Sequence, residues 1–310
     1  MKNLKKMGFI IASLVMVVAF SVNGINKAKA SSSGKCKHKS VRTVVDVEPT
    51  CTKKGKGHTV CRNCGVTVKE KISIPATGHN FVNYVCTICG AKDTAKKNEL
   101  YTIDGYTYKV TDTRTNTRGE VACVEVLNKQ VSRVTVPDRV DIKNVSYRVT
   151  SIANNCFSHC PYLTSVKIGN NVREIEKESF SDLNNLKEVT IGKDVDKIGE
   201  AAFQYCTSLK EVVIPNKVRT IGKYAFTNCT SLTKVVVGSD VQKIEEGAFS
   251  YCTSLLDITF KDDKVSKIGV NAIKGISPAA TIRVPGNRIQ KYKDLFTYET
   301  GYLQTMTIVH

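Results

Sequence analysis

Two Cys-x-x-Cys-Gly units, Cys61-x-x-Cys64-Gly65 and Cys86-x-x-Cys89-Gly90, carry the densest potential chemistry in this chain. Around them lie Cys36-x-His38, Cys51 within Pro49-Thr50-Cys51-Thr52, and His79 after Gly78. Two thiolates three positions apart can clasp one metal ion, and the glycine that follows permits the turn that aims backbone N–H groups at sulfur. Cys36, His38, Cys51, Cys61, Cys64, His79, Cys86 and Cys89 make six Cys and two His, enough for two tetrahedral zinc ions, with His58 left over. Such sites would be structural, because two filled tetrahedra leave no open position for a reacting water. One allocation puts Cys51, Cys61, Cys64 and His79 on one ion and Cys36, His38, Cys86 and Cys89 on the other. The alternative exchanges Cys36 and His38 with Cys51 and His79, and spacing does not choose between them. Disulfides or free thiols are the rival readings in an exported protein. A thioredoxin-like role lacks its βαβ setting. This stretch has few large apolar residues, so metal or cross-links must supply much of its folding energy.

The elements that position these residues are set by length, charge and repetition. Lys2, Lys5 and Lys6, the apolar run Gly8–Val22, and Ala28-Lys29-Ala30 read as a secretory signal peptide over residues 1–30; an uncleaved anchor is the alternative. No later stretch is long and apolar enough to span a bilayer, no cysteine stands at the cleavage point for a lipid, and no wall-sorting motif precedes His310. Beyond residue 30 the chain carries 41 Lys+Arg against 28 Asp+Glu. Residues 31–98 hold 13 basic and 4 acidic side chains, whereas 149–310 hold 20 and 17. The basicity thus belongs to the N-terminal module, and on an exported protein it points to anionic wall polymer or a membrane surface rather than nucleic acid.

From residue 149 a 23-residue pattern recurs in register, clearest in Val195–Lys217 and Val218–Asp240. Ile152, Ile175, Ile198, Ile221, Ile244 and Ile268 form one ladder. Phe157, Phe180, Phe203, Phe226 and Phe249 form another, closed by Ile273. Leu163, Leu186, Leu209, Leu232 and Leu255 form a third. Val166, Val189, Val212, Val235, Ile258 and Ile282 alternate at period two with Ile168, Ile191, Ile214, Val237, Phe260 and Val284, which predicts one short strand per unit, stacked as a parallel sheet. The A-F-x-x-C-x-x-L segment is expected to form a helical turn or tight bend opposite. One extra residue in Lys261–Lys264 shifts the last unit. A unit this short cannot bury its own apolar face, so only stacking folds it. Cys160, Cys206, Cys229 and Cys252 share a register with Leu183 and read as small buried apolar residues. A bridge among Cys123, Cys156 and Cys160 stays open.

The motif I-G-x-x-A-F-x-x-C-x-S-L-x-x-V-x-I-P, seen from Ile198 to Pro215 and nearly repeated from Ile221, resembles the BspA-like leucine-rich-repeat family over about residues 130–287. That resemblance implies a curved right-handed solenoid, and proteins exported to bacterial or protist surfaces for adhesion or for binding host proteins. It fixes no binding residue. The second unit departs from the motif, with Glu176, Ser179 and Leu183 at the Gly, Ala and Cys places. Pro49–Thr52, Cys61–Gly65 and Ile74–His79 resemble the zinc-ribbon-like repeats of secreted Firmicutes surface proteins, although the second copy lacks its Pro-Thr-Cys.

The expected organisation is a signal peptide (1–30), a Cys/His-rich β module (31–90), a linker (91–99), an N-terminal cap with the first coil (100–148), leucine-rich repeats (149–287) and a C-terminal cap (288–310). In the caps, Tyr101–Val110 and Val121–Val126 read as a hairpin before a first coil at Val131–Pro137, Asn287–Phe296 as a closing helix and Met306–His310 as a last strand. The repeats contain one histidine, His159, and no nucleophile–base pair or phosphate-cradling loop, so the chain is not expected to be an enzyme. The expected role is an exported, cell-surface binding or adhesion protein of a Gram-positive bacterium, acting as a monomer. Its expected partner is a host or cell-surface protein, with anionic cell-wall polymer as second candidate. A metal-binding or redox surface protein is the alternative.

Overall fold

The computed structural model describes Lys37, residues 39–114 and residues 119–310. The signal-peptide reading, Cys36 and His38 lie outside the described residues. Contacts divide the chain between Gly78 and His79.

The first unit is an antiparallel meander of Val41–Val47, Gly55–Cys61 and Thr67–Ile74, with Gly55–Cys61 in the middle. Val41, Val45, Val47, Val66 and Val68 are exposed, and the buried apolar side chains among the described residues of this unit are Cys51, Val60 and Cys61.

The second unit begins with the small hairpin Phe81–Val82/Val85–Cys86. Ala95, within the stretch 91–99, is buried in the core that the coils share. Leu100–Ile103, Tyr106–Asp112 and Glu120–Val126 then form a three-stranded antiparallel cap. The expected single strand over Tyr101–Val110 is split, because Asp104 and Gly105 take left-handed φ of 49° and 80° and turn the chain back. Glu120–Val126 runs parallel to Val145–Ile152, and from there the coils follow.

Each coil has two strand walls and one turn wall. The expected L-x-x-V-x-I strands are present, from Arg133–Val136 through Ser165–Ile168 to Glu188–Thr190, and from Glu211–Val213 through Lys234–Val237 and Asp257–Phe260 to Thr281–Arg283 and Thr307–Val309. The ladder is interrupted once, where Lys210 N–H reaches the Lys187 carbonyl at only 3.5 Å. The second sheet is built on the Ile152 ladder: Glu174–Ile175, Lys197–Ile198, Thr220–Ile221, Lys243–Ile244 and Lys267–Ile268 continue Val145–Ile152 in parallel. These strands are two residues long and offer no alternation to read in the sequence.

The A-F-x-x-C wall is turn, not helix. Ala201 and Tyr205 have φ of 52° and 57°, values that an α-helix cannot contain. That alternation points every second N–H along the stack: Ala201, Phe203 and Tyr205 donate to the carbonyls of Lys223, Ala225 and Thr227 at 2.8–2.9 Å. All three walls are therefore hydrogen-bonded from coil to coil, and the backbone of a single coil has few partners of its own.

The five ladder phenylalanines are at most 1% exposed and stack at 4.9–5.3 Å with interplanar angles of 3–6°. Val172, Val195, Val218, Val241 and Val265 form a further fully buried ladder, at most 1% exposed, with the same recurrence. At the C-terminal end the helix Ile289–Leu295 packs Tyr292 and Phe296 on Phe260, with ring centroids 4.7 and 6.1 Å away. The extra residue before Lys264 opens a loop whose carbonyls hold this helix: Tyr292 donates to Asp262 at 2.8 Å, and Lys291 to Asp263. The turn Tyr298–Thr300 closes the stack by accepting from Asn271 and Ile273 through the carbonyls of Glu299 and Thr300, at 2.7 and 2.9 Å.

Candidate functional site

The two Cys-x-x-Cys-Gly units fold alike, each within its own unit. Cys61 N–H donates to Val66 C=O at 2.8 Å, and Gly65 N–H returns to Cys61 C=O at 3.0 Å. Cys86 N–H donates to Ala91 C=O at 2.7 Å, and Gly90 N–H to Cys86 C=O at 2.9 Å. Gly65 and Gly90 both have φ of 71°, a left-handed conformation that a side chain would strain. In both, the first cysteine is buried and the second exposed. The glycine turn is the local conformation that the spacing predicts.

In the second unit the ligand atoms of His79, Cys86 and Cys89 lie within 4.8 Å of one another. His79 Nδ1 is 3.4 Å from Cys89 Sγ, and its ring stacks on Phe81 at 5.3 Å. Gly78, with φ of 73°, turns the chain after Pro75, and Thr87 N–H clamps the carbonyl of Asn80 at 2.9 Å, which folds His79 back onto the knuckle. Within this unit the turn sets His79 beside the second knuckle. Burial alone would raise the Cys86 thiol, but hydrogen bonds from the backbone of Cys89, the His79 ring, and the backbones of Ile88 and Asn80 outweigh it and bring it down to about 5. A group held this way is ready to be the thiolate that a soft cation requires.

In the first unit, Cys51 and Cys61 are buried and Cys64 is exposed. Thr77 N–H donates to Thr50 C=O at 3.0 Å, so the chain leaving the meander runs beside the residue that precedes Cys51. His58 is committed elsewhere, with Nδ1 2.8 Å from Asp46 Oδ1.

The solenoid cysteines behave differently. Cys206, Cys229 and Cys252 are wholly buried and donate their thiols to the carbonyls of Phe180, Phe203 and Phe226 at 3.1–3.2 Å. Burial pushes the Cys206 and Cys252 thiols far above the ordinary value, so they are packing groups and not nucleophiles.

The two strand walls differ in how they hold charge. On and beside the Ile152 sheet, ion pairs run from coil to coil: Lys197–Glu174 at 2.6 Å, Lys177–Glu200 at 2.8 Å, Lys217–Asp194 and Lys264–Asp240 at 2.5 Å, and Lys223–Glu246 at 3.1 Å. A groove of about 530 Å³ there has lining charges of both signs, including Arg173, Asp194, Lys217 and Asp240. On the other wall, Lys167, Lys187, Glu188, Lys210, Glu211 and Lys234 are exposed and form no ion pair among the described residues; Asp257, half-buried, pairs with Arg283 at 3.2 Å. Between these charges runs a stripe of Thr190, Val213, Val236 and Thr259, with Val213 54% exposed.

The family model described as "BspA type Leucine rich repeat region" matches residues 139–256 and 219–309 in six copies, together more than half of the chain. The chain belongs to the BspA-type leucine-rich-repeat family. A leucine rich cell surface protein from Faecalibacterium prausnitzii A2-165 is 28% identical, with a TM-score of 0.46 over 62% of this chain and 56% of that one. The pneumococcal vaccine antigen PcpA is 16% identical, with a TM-score of 0.50 over 69% of this chain and 48% of that one, a likeness of fold. The T. pallidum leucine rich repeat protein TpLRR is 22% identical, with a TM-score of 0.47 over 66% of this chain and all of that one. The chain spans about half the length of the first two. A search of curated proteins finds no match. No helix among the described residues is long and apolar enough to cross a membrane.

Proposed function

We propose that this BspA-type chain is an exported cell-surface binding protein whose contact surface is the strand wall carrying Lys187, Lys210, Val213, Lys234 and Val236. The supporting observation is the contrast between the walls. Five ion pairs join neighbouring coils on and beside one wall, whereas on the other Lys187, Glu188, Lys210, Glu211 and Lys234 form none among the described residues and flank a β-branched stripe. Uncommitted charges steer and orient a partner, and a desolvated β-branched strip supplies the apolar centre of an interface. Mixed sign favours a protein ligand over a uniformly anionic polymer, for which the basic residues 31–98 are better suited.

The test is binding of the full chain to host matrix proteins and to isolated cell wall, with Lys187, Lys210 and Lys234 changed to Glu. Protein binding weakened at least tenfold by these changes, but not by Lys197→Glu or Lys223→Glu on the paired wall, is the expected result. Equal effects from both walls, or no saturable binding to either ligand, would refute the assignment.

A second reading concerns the Cys/His residues, and the His79–Cys86–Cys89 cluster favours it. In this reading each knuckle holds one structural zinc ion. His79, Cys86 and Cys89 would be three ligands of the ion at the second knuckle. The ion would add folding energy and no reaction step. Native mass spectrometry should find two zinc ions per chain; none, with two hydrogens lost for each cysteine pair, would establish disulfides instead.

A further inference from the structure

Two cysteines outside the Cys160 register meet inside the second unit, and one of them, Cys156, stands at the alanine place of A-F-x-x-C. Cys123 lies on the last strand of the N-terminal cap and Cys156 in the first turn after Val145–Ile152. Parallel pairing sets Cys123 against Ile152, and Ala153 N–H donates to Cys123 C=O at 2.9 Å. Cys156 N–H donates to Ala153 C=O at 3.2 Å, which wraps the turn over the end of the cap strand. The two sulfurs come to 3.6 Å, although 33 residues separate them in the chain. Both residues are at most 1% exposed.

The ladder cysteines give the comparison. Cys206, Cys229 and Cys252 each spend the thiol hydrogen on a backbone carbonyl of the neighbouring coil. Cys123 and Cys156 have each other. Sulfurs in van der Waals contact need to approach by roughly 1.5 Å to bond, a movement within reach of side-chain rotation when the backbone already juxtaposes the residues.

We propose that Cys123 and Cys156 form a disulfide that staples the N-terminal cap to the first coil. The oxidant is a disulfide of a protein or small thiol. One cysteine thiolate attacks it and releases one donor thiol, and the second thiolate displaces the other while the Cys123–Cys156 bond forms. The pair thus gives up two protons and two electrons, and the donor disulfide becomes two thiols. Burial raises the Cys156 thiol far above its ordinary value, so the bond is expected to close before the core covers it. Once closed, the bond is shielded from reductants by the same burial.

The test refolds the full chain from denaturant in a glutathione redox buffer with zinc present, blocks remaining thiols, and maps the peptides. The expected map joins Cys123 to Cys156 with a loss of 2 Da and finds Cys160, Cys206, Cys229 and Cys252 blocked as thiols. Folded protein in which Cys123 and Cys156 are both blocked, or either is joined to Cys160, overturns the proposal. The oxidised chain should melt roughly 5 °C above the reduced one. That difference should vanish in the C123A/C156A variant; an oxidised wild-type chain with no gain over the reduced one would overturn the stapling role. Formation in the cell rests on the export reading. A bridge that forms in the refolded chain but is missing from the native cellular protein would count against export and leave the geometry standing.

Discussion

The coils and the N-terminal meander are both made of short strands, yet they are held together by different means. In the coils the phenylalanine, leucine and isoleucine ladders are almost wholly buried, and each backbone wall is hydrogen-bonded to the next coil. In the meander the strand Val41–Val47 exposes nearly every side chain, and among the described residues two of the three buried apolar ones are cysteines. Repetition lets a 23-residue unit borrow a neighbour's apolar face. A module of one or two copies has no such neighbour, and the proposed metal ions, or sulfur cross-links in their place, would supply the missing stability.

Metal removal should show this contrast at its largest. Chelation of the folded chain is expected to abolish hydrogen-exchange protection across Gly55–Cys61 and the second knuckle, while protection across Lys197–Ile198 and Thr220–Ile221 is kept. Protection at Gly55–Cys61 that survives chelation but is lost on reduction would mean that disulfides hold the meander.

Within the coils, Phe203→Ala should cost about 3–5 kcal/mol, since Phe203 is fully buried between two stacked rings. Urea unfolding measures it. A cost below about 1 kcal/mol would mean that the coils close around the gap and the ring stack is not what sets their spacing. Val45→Ala in the meander, where the side chain is 41% exposed, should stay within about 0.5 kcal/mol.

Backbone approach between coils predicts a smaller loss. A Cβ on Gly222 would lie 2.7–2.8 Å from the carbonyl atoms of Gly199 and from Ile198 O, none of which can swing aside. Gly222→Ala should therefore destabilise by about 1–3 kcal/mol by the same measurement. An unchanged midpoint would show that the corner has slack.

These sites also mark what the sequence discloses. The Phe203 ladder and the strands through Val212 and Val235 are legible because one spacing recurs and alternation follows it. The sheet through Ile198 and Ile221 is not, because a two-residue strand has no period. The turn through Ala201 and Tyr205 could be narrowed only to helix or bend, since nothing in A-F-x-x-C announces a left-handed tyrosine. Local spacing is enough to give the knuckle hydrogen bonds at Cys61 and Cys86. It cannot give the company of His79, or the meeting of Cys123 with Cys156, because both depend on turns and pairings remote in the chain.

The smallest expected effect tests the division between the two strand walls. Lys197 and Glu174 stand in register on adjacent strands, 2.6 Å apart at their charged atoms, and the Lys197 ammonium is raised above its ordinary value mainly by its hydrogen bond to Glu174. A lysine raised in the folded state stabilises below its unfolded titration point, and this is lost as pH climbs through the folded one. At neutral pH the contribution is therefore fully present, but both side chains are largely solvated, so Lys197→Ala should cost no more than about 0.5 kcal/mol. Added salt should shrink that cost in Lys197→Ala and leave the cost of Phe203→Ala unchanged. If Lys197→Ala instead costs as much as a ladder residue, the pairs on this wall are structural. Their neutralisation would then reflect the needs of the stack, and the uncommitted charges opposite would no longer single out a contact wall.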